Sequence, residues 1–239
     1  MDKTKYTTDD LLLIMKKLRG ENGCPWDRVQ THESIKECMV EESYEVIDAL
    51  DKKDDKMMAN ELGDLLLQIV FHSQIASERG AFDFSDVTDE ICKKLISRHS
   101  HVFGNDSAED DKQVIDLWDK NKKAEKGLLT VTDSLKDVPA SFPSLMRAQK
   151  VIKRAAKSDM QFKPDYSEND ILDSVADAVS DIRKNILNNE NPEENFKKLL
   201  MLTAAFASKK QLCAEILLKN AVDEFIEKFE VLEQVAQQK

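Results

Sequence analysis

Apolar residues recur at i, i+3, i+4 and i+7 along most of the chain and β-branched runs are scarce, a pattern that predicts an all-α protein. A first helix is expected from a cap at Thr7 or Thr8, carrying Leu11, Leu12, Met15 and Leu18 and stopping between Gly20 and Gly23. Pro25 and Trp26 in CPWDRVQTHES predict a rigid connection, after which Thr31 is the expected cap of a second helix reaching about Asp51. The DKKDD break ends that helix, and Asp54 or Asp55 caps a third that runs to about Glu78. A fourth follows Ser85 and ends near RHSHVFG, and a polar helix carrying Trp118 spans about Glu109 to Lys126. Turn formers and prolines make residues 128–142 the most linker-like stretch, dividing an N-terminal domain (1–127) from a C-terminal one (143–239) built of four more helices, with Pro164 and Pro192 at junctions.

Two of these helices carry carboxylates where apolar residues belong. On a helical wheel, Ile35, Cys38, Met39, Glu42, Glu45, Val46 and Ala49 gather on one side of the second helix. In the third the pattern is inverted: Leu62, Leu66, Leu67, Ile69, Val70 and Phe71 fill most of the circumference, leaving Glu61, Asp64, Gln68 and His72 as a narrow polar stripe with Leu65. A helix apolar nearly all round is expected to be buried, so its polar stripe must face something inside. The two i, i+3 pairs are equidistant from residue 53, so an antiparallel hairpin about DKKDD puts all four at one height, roughly 14 Å from the turn. Charge runs of this kind usually lie on solvated faces. Agreement in both helical face and hairpin register favours convergence instead, and converging carboxylates need protons or a cation. No Lys or Arg lies on the two stripes, and an all-oxygen donor set points to Mg²⁺, with Mn²⁺ as the alternative. Gln68 and His72 read as core groups with satisfied hydrogen bonds.

The totals narrow the partners. A net charge of -11 argues against nucleic acid, which needs a basic surface. Apolar runs such as Leu65 to Phe71 are too short for a membrane span, and Asp2, Asp9 and Asp10 spoil any signal peptide, so a cytoplasmic protein is expected. The four cysteines are scattered without a C-x-x-C pair and read as reduced structural thiols. No Ser, Cys or His stands in a triad pattern that would suggest a covalent intermediate.

Taken together, ENGCPWDRVQTHES, then EESYE and then ELGDLLLQIVFHS resemble the MazG family of nucleoside triphosphate pyrophosphohydrolases, as do KKLISRHSHVFG and FPSLMRAQKVIKRA further along. The resemblance covers nearly the whole chain. It implies an all-α homodimeric enzyme that uses Mg²⁺ to cleave NTPs to NMP and pyrophosphate, for house-cleaning or control of nucleotide pools. It further implies metal ligation by Glu42, Glu45, Glu61 and Asp64, with Glu41 aiding them or positioning water. Lys94 and Arg98 match basic residues near the phosphates, and Trp118 with Lys122 match groups that approach the nucleotide. An ordinary solvated helix end is the plainer reading of Lys94 and Arg98.

The C-terminal half can be laid over the N-terminal one, SVADAVSDIRKNIL on the first acidic helix and PEENFKKLLMLTAAFAS on the second. Asp177, Ala178 and Asp181 then replace the three glutamates, while Asn195 and Lys198 fall where Glu and Asp stand. A degenerate copy that scaffolds or dimerises is expected. Two other functions compete: a carboxylate-bridged iron bundle, which calls for E-x-x-H pairs that are missing here, and a catalytically silent module that binds a nucleotide or a protein.

Overall fold

The computed structural model describes residues 4–157 and 167–237, and among them it contains twelve α-helices and no strand. Pro164 lies outside the described residues. None of these helices is long and apolar enough to cross a membrane. The chain divides into two compact units that meet between Trp118 and Asp119.

In the first unit, α1 (Thr8–Arg19) begins at Thr7, whose hydroxyl accepts from the Asp10 amide while the Asp10 carboxylate accepts from the Thr7 amide. This reciprocal cap satisfies two of the otherwise orphaned N–H groups. The chain then folds back so closely that a Cβ on Gly23 would lie 2.0 Å from the Leu18 carbonyl oxygen, which requires glycine there. The rigid connection expected at Pro25 is a short helix, α2 (Pro25–Val29), with proline at its first position, where no N–H is needed. Thr31 does not cap α3. Its hydroxyl accepts from the Ser34 amide at 3.2 Å, closing a turn, and α3 (Lys36–Lys52) starts five residues later without a side-chain cap.

α3 ends at Lys53, which adopts the left-handed conformation (φ 55°) and sends its amide to the Ala49 and Leu50 carbonyls. Asp54 follows at once as the cap of α4 (Asp55–Glu78), accepting from the Lys56 and Met57 amides at 3.0 Å. A left-handed non-glycine residue costs about 1 kcal/mol, so the break is short and sharply located. α3 and α4 lie along one another as an antiparallel hairpin. Met15 of α1, Ile35 and the α4 residues Val70 and Phe71 form the core, flanked by Leu11, Leu12, Cys38, Leu67, Ile75 and Phe84. α4 is not buried all round, as its composition suggested: Leu62 is 47% and Leu66 36% exposed, and Val40 of α3 is 55% exposed. α4 packs chiefly on α3, α1 and α5, and Leu62 and Leu66 lie on the side these helices leave uncovered.

Arg19 locks this unit. Its Nε and Nη2 donate to the two Glu78 carboxylate oxygens at 2.8 and 2.7 Å, Nη1 donates to the Asp27 and Gln30 carbonyls, and the guanidinium lies over the Phe71 ring. α5 (Phe84–Arg98) opens with an Asp83/Asp86 capping box and packs against α4. The one-turn helix α6 (Ser100–Phe103) follows, and then α7 (Asp111–Glu125).

In the second unit, the stretch between Gly127 and Pro143 contains α8 (Val131–Lys136), capped by Thr130, with its Ser134 buried and Val138 buried just after its end. α9 (Ser144–Ala156) packs on α11 (Glu193–Lys209), which forms a second hairpin with α10 (Glu168–Leu187). This hairpin also turns at a left-handed residue, Asn189. Its buried residues include Ile171 and three alanines, Ala178, Ala204 and Ala207, whose small side chains let the helices approach closely. The Gln149 carboxamide ties the start of α12 (Ala214–Gln237), donating to the Leu212 carbonyl and accepting from the Ala214 amide.

Candidate metal and nucleotide site

The hairpin brings three of the four predicted carboxylates together. One carboxylate oxygen from each of Glu42, Glu45 and Glu61 lies within 4.8 Å of the others, the only such group of three or more acidic, His or Cys side chains among the described residues. Glu42 and Glu61 are half-buried and Glu45 is exposed, so the cluster lies on a face of the hairpin that is partly open to solvent. Asp64 stays outside that radius and accepts from the Asn60 carboxamide at 3.2 Å. It still acts on the cluster. Burial first, then the negative charges of Asp64, Glu45 and Glu61, hold the Glu42 carboxyl above its ordinary value. No Lys or Arg forms an ion pair with any of these four among the described residues.

Several oxygen donors converge without a protein cation, and one of them already holds its proton more tightly than a solvated glutamate. That donor set fits a hard divalent cation, and Glu42, Glu45 and Glu61 are the residues that can hold it, with Asp64 next in reach. Glu41 is exposed on α3, outside the cluster.

The other predicted residues lie on α5 and α7. Lys94 and Arg98 sit one turn apart on α5; Lys94 is half-exposed, with its amine 3.5 Å from Glu90. The Arg98 guanidinium lies 5.3 Å from the centre of the Trp118 ring, close enough for a cation–π contact. His99 approaches the same indole edge-on, with ring centres 4.9 Å apart, while its Nδ1 meets the Leu95 carbonyl at 2.7 Å. Because a carbonyl only accepts, that contact fixes the proton on His99 Nδ1. Lys122 belongs to the second unit.

Sequence reasoning passed over His32, His99 and Arg19. His99 and its neighbour could have been suspected from the HSH spacing at a helix end; His32 carries no local signal, because its partner is 40 residues away. The expectation that Gln68 and His72 are satisfied core groups divides. His72 bonds His32, but the Gln68 Oε1 is buried with no hydrogen-bond partner among the described residues.

In the overlaid C-terminal hairpin, Lys184 donates to Asp181 at 2.9 Å, and that bond, with the charges of Asp181 and Asp177, holds the lysine above its ordinary value. Asn195 bonds Asn185 at 2.7 Å. An acidic cluster comparable to the first is absent there among the described residues.

Comparison with known proteins bears on the same elements. Residues 30–103, which hold both acidic helices and α5, match the MazG nucleotide pyrophosphohydrolase domain. The chain is 38% identical over 232 residues to a nucleoside triphosphate pyrophosphohydrolase of Escherichia coli (strain K12), covering 95% of this chain and 87% of that protein. It is 36% identical over 230 residues to a nucleoside triphosphate pyrophosphohydrolase/pyrophosphatase MazG of Thermotoga maritima, covering 95% and 86%.

Proposed function

Because this chain belongs to the MazG family of nucleoside triphosphate pyrophosphohydrolases, we propose that it hydrolyses NTPs and dNTPs to NMP and pyrophosphate, with Mg²⁺ held by Glu42, Glu45, Glu61 and Asp64. The observation that carries this reading is the meeting of three carboxylates within 4.8 Å, with no protein cation to balance them. When bound, the cation neutralises charge developing on the phosphates and acidifies a water.

The protein's own groups do the rest. Glu41, exposed on α3 next in sequence to Glu42, aids the ligands or positions the attacking water. Lys94 and Arg98 face the phosphate chain from one side of α5, and Trp118 offers its ring to the nucleotide. In this state the Arg98 guanidinium covers that ring, so binding a triphosphate exchanges a cation–π contact for a charge-assisted bond to phosphate.

The working form is a homodimer. Leu62, Leu66 and Val40 leave apolar surface open on the acidic hairpin, and α12 exposes Leu218, Val222, Phe225, Phe229 and Leu232, spaced alternately by four and three residues as in a paired helix. Four free cysteines and the acidic composition suit the cytoplasm.

Full-length protein with Mg²⁺ and a panel of NTPs and dNTPs is expected to release NMP and pyrophosphate. Glu45→Gln and Asp64→Asn should abolish release while leaving the helical circular-dichroism signal intact. Orthophosphate and NDP as products would refute the bond assignment.

A further inference from the structure

The hairpin that carries the acidic cluster is tied at one end by the Lys53–Asp54 turn. At its other end lie two imidazoles. His32 stands in the turn that leads into α3, and His72 sits on α4 two turns beyond Asp64; their Nδ1 atoms are 2.8 Å apart. The ring planes are 9° from parallel and the centroids 5.1 Å apart. This is not a π stack, since facing rings cannot bring atoms to 2.8 Å, and the nitrogens lie much closer together than the centroids do. The rings meet edge to edge, with one N–H between them, one Nδ1 giving and the other receiving.

Both histidines lie about twenty residues from the turn, and the four carboxylates lie between these two ties. Like charges on Glu42, Glu45, Glu61 and Asp64 push α3 and α4 apart in the middle of the hairpin. A bond at the open end opposes that push and keeps the two helices in register. The surroundings favour an uncharged pair. The His32 Nε2 is buried without a partner among the described residues, so an N–H placed there would be unsatisfied. Burial, and then His32, hold the His72 imidazole below its ordinary value. The charged groups nearby are Glu33, which feels His32, and Arg79, which acts on Glu33.

We propose that His32 and His72 are a pair of positioning residues, whose Nδ1–H···Nδ1 bond closes the open end of the α3–α4 hairpin and sets the spacing of the metal-holding carboxylates. The assignment rests on the reading of the acidic cluster as a metal site. One proton can be added to the pair at an outer nitrogen with the bond intact. A second sets N–H against N–H and breaks it, so metal binding falls on the acid side of the usual imidazole range.

The test compares full-length wild type, His32→Phe and His32→Asn by Mn²⁺ binding and by pyrophosphate release from about pH 5 to about pH 8. In wild-type protein with labelled imidazoles, a scalar coupling between the two Nδ1 atoms is expected. His32→Phe should bind Mn²⁺ roughly ten-fold more weakly. His32→Asn keeps an uncharged donor and acceptor near the Nδ1 position and does not titrate, so it should restore binding and remove the histidine-dependent acid-side loss. The proposal is overturned if wild type shows no coupling, or if His32→Phe binds Mn²⁺ like wild type with the same pH profile. If His32→Phe does not fold, the coupling and the His32→Asn profile decide. Wild-type protein that binds no Mn²⁺ and releases no pyrophosphate would instead refute the metal reading itself, and this assignment with it.

Discussion

Replacing Glu42 with Gln should stabilise the metal-free protein and remove its response to Mg²⁺. The carboxylate oxygens of Glu42, Glu45 and Glu61 lie within 4.8 Å of each other. Two unit charges at that distance repel by about 1 kcal/mol in water and by about 3.5 kcal/mol at an effective dielectric of 20. With Glu45 exposed and salt screening the group, removing the Glu42 charge should relieve about 1–2 kcal/mol near pH 8. At about 2–4 °C per kcal/mol for a chain of this size, the melting temperature in chelator should rise by about 2–8 °C. The sign follows from the raised Glu42 carboxyl. The folded state keeps a proton that the unfolded state has lost, so the associated stability is full below the ordinary glutamate value and declines as pH rises through the raised one. The advantage of Glu42→Gln should therefore shrink as the pH is lowered toward 4. Conversely, Mg²⁺ at a hundred times its dissociation constant should add about 2.7 kcal/mol to wild type and little to the variant. Thermal melts in chelator and in Mg²⁺, at two pH values, measure all of this. If Mg²⁺ raised both proteins equally, or if the metal-free variant melted lower than wild type at pH 8, the picture of an uncompensated acidic cluster would be wrong.

Two further outcomes follow from geometry. Arg19→Met should cost about 2 kcal/mol in urea unfolding, because it leaves the Asp27 and Gln30 carbonyls without their donor and removes one partner from a Glu78 carboxylate that Gln74 and solvent still reach; a loss under about 0.5 kcal/mol would show that α1, α2 and α4 hold together without it. Phe225→Glu combined with Phe229→Glu should yield monomers in size exclusion with light scattering while helicity is retained; an unchanged dimer would place the interface elsewhere.

The helices were legible because their signals are local. Thr7 and Asp54 cap where short polar residues precede apolar periodicity, and the four C-terminal helices follow from spacing alone, whereas the helix expected after Ser85 begins at Phe84 under an Asp83 cap that sequence reasoning passed over. Thr31 misled because it closes a turn of its own, a use of the same hydroxyl that competes with capping. The meeting of Glu42, Glu45 and Glu61 could be anticipated because hairpin register is arithmetic once the turn is located. What sequence could not supply was depth. A nearly all-apolar α4 suggested full burial, but Leu62 and Leu66 remain exposed in one chain. Long-range pairs such as His32 with His72, or Arg19 with Glu78, leave no periodic trace.

The abrupt reversal at Lys53 and Asp54 makes the connection between α3 and α4 a ruler as well as a link. Insert one residue there that the first turn of α4 takes up, and the α4 side chains beyond it are carried about 100° around the helix axis. Glu61 and Asp64 would then look away from Glu42 and Glu45, although no acidic group had been changed. A chemist cataloguing damage to this protein should thus count a length change in those few loop atoms alongside the loss of a carboxylate.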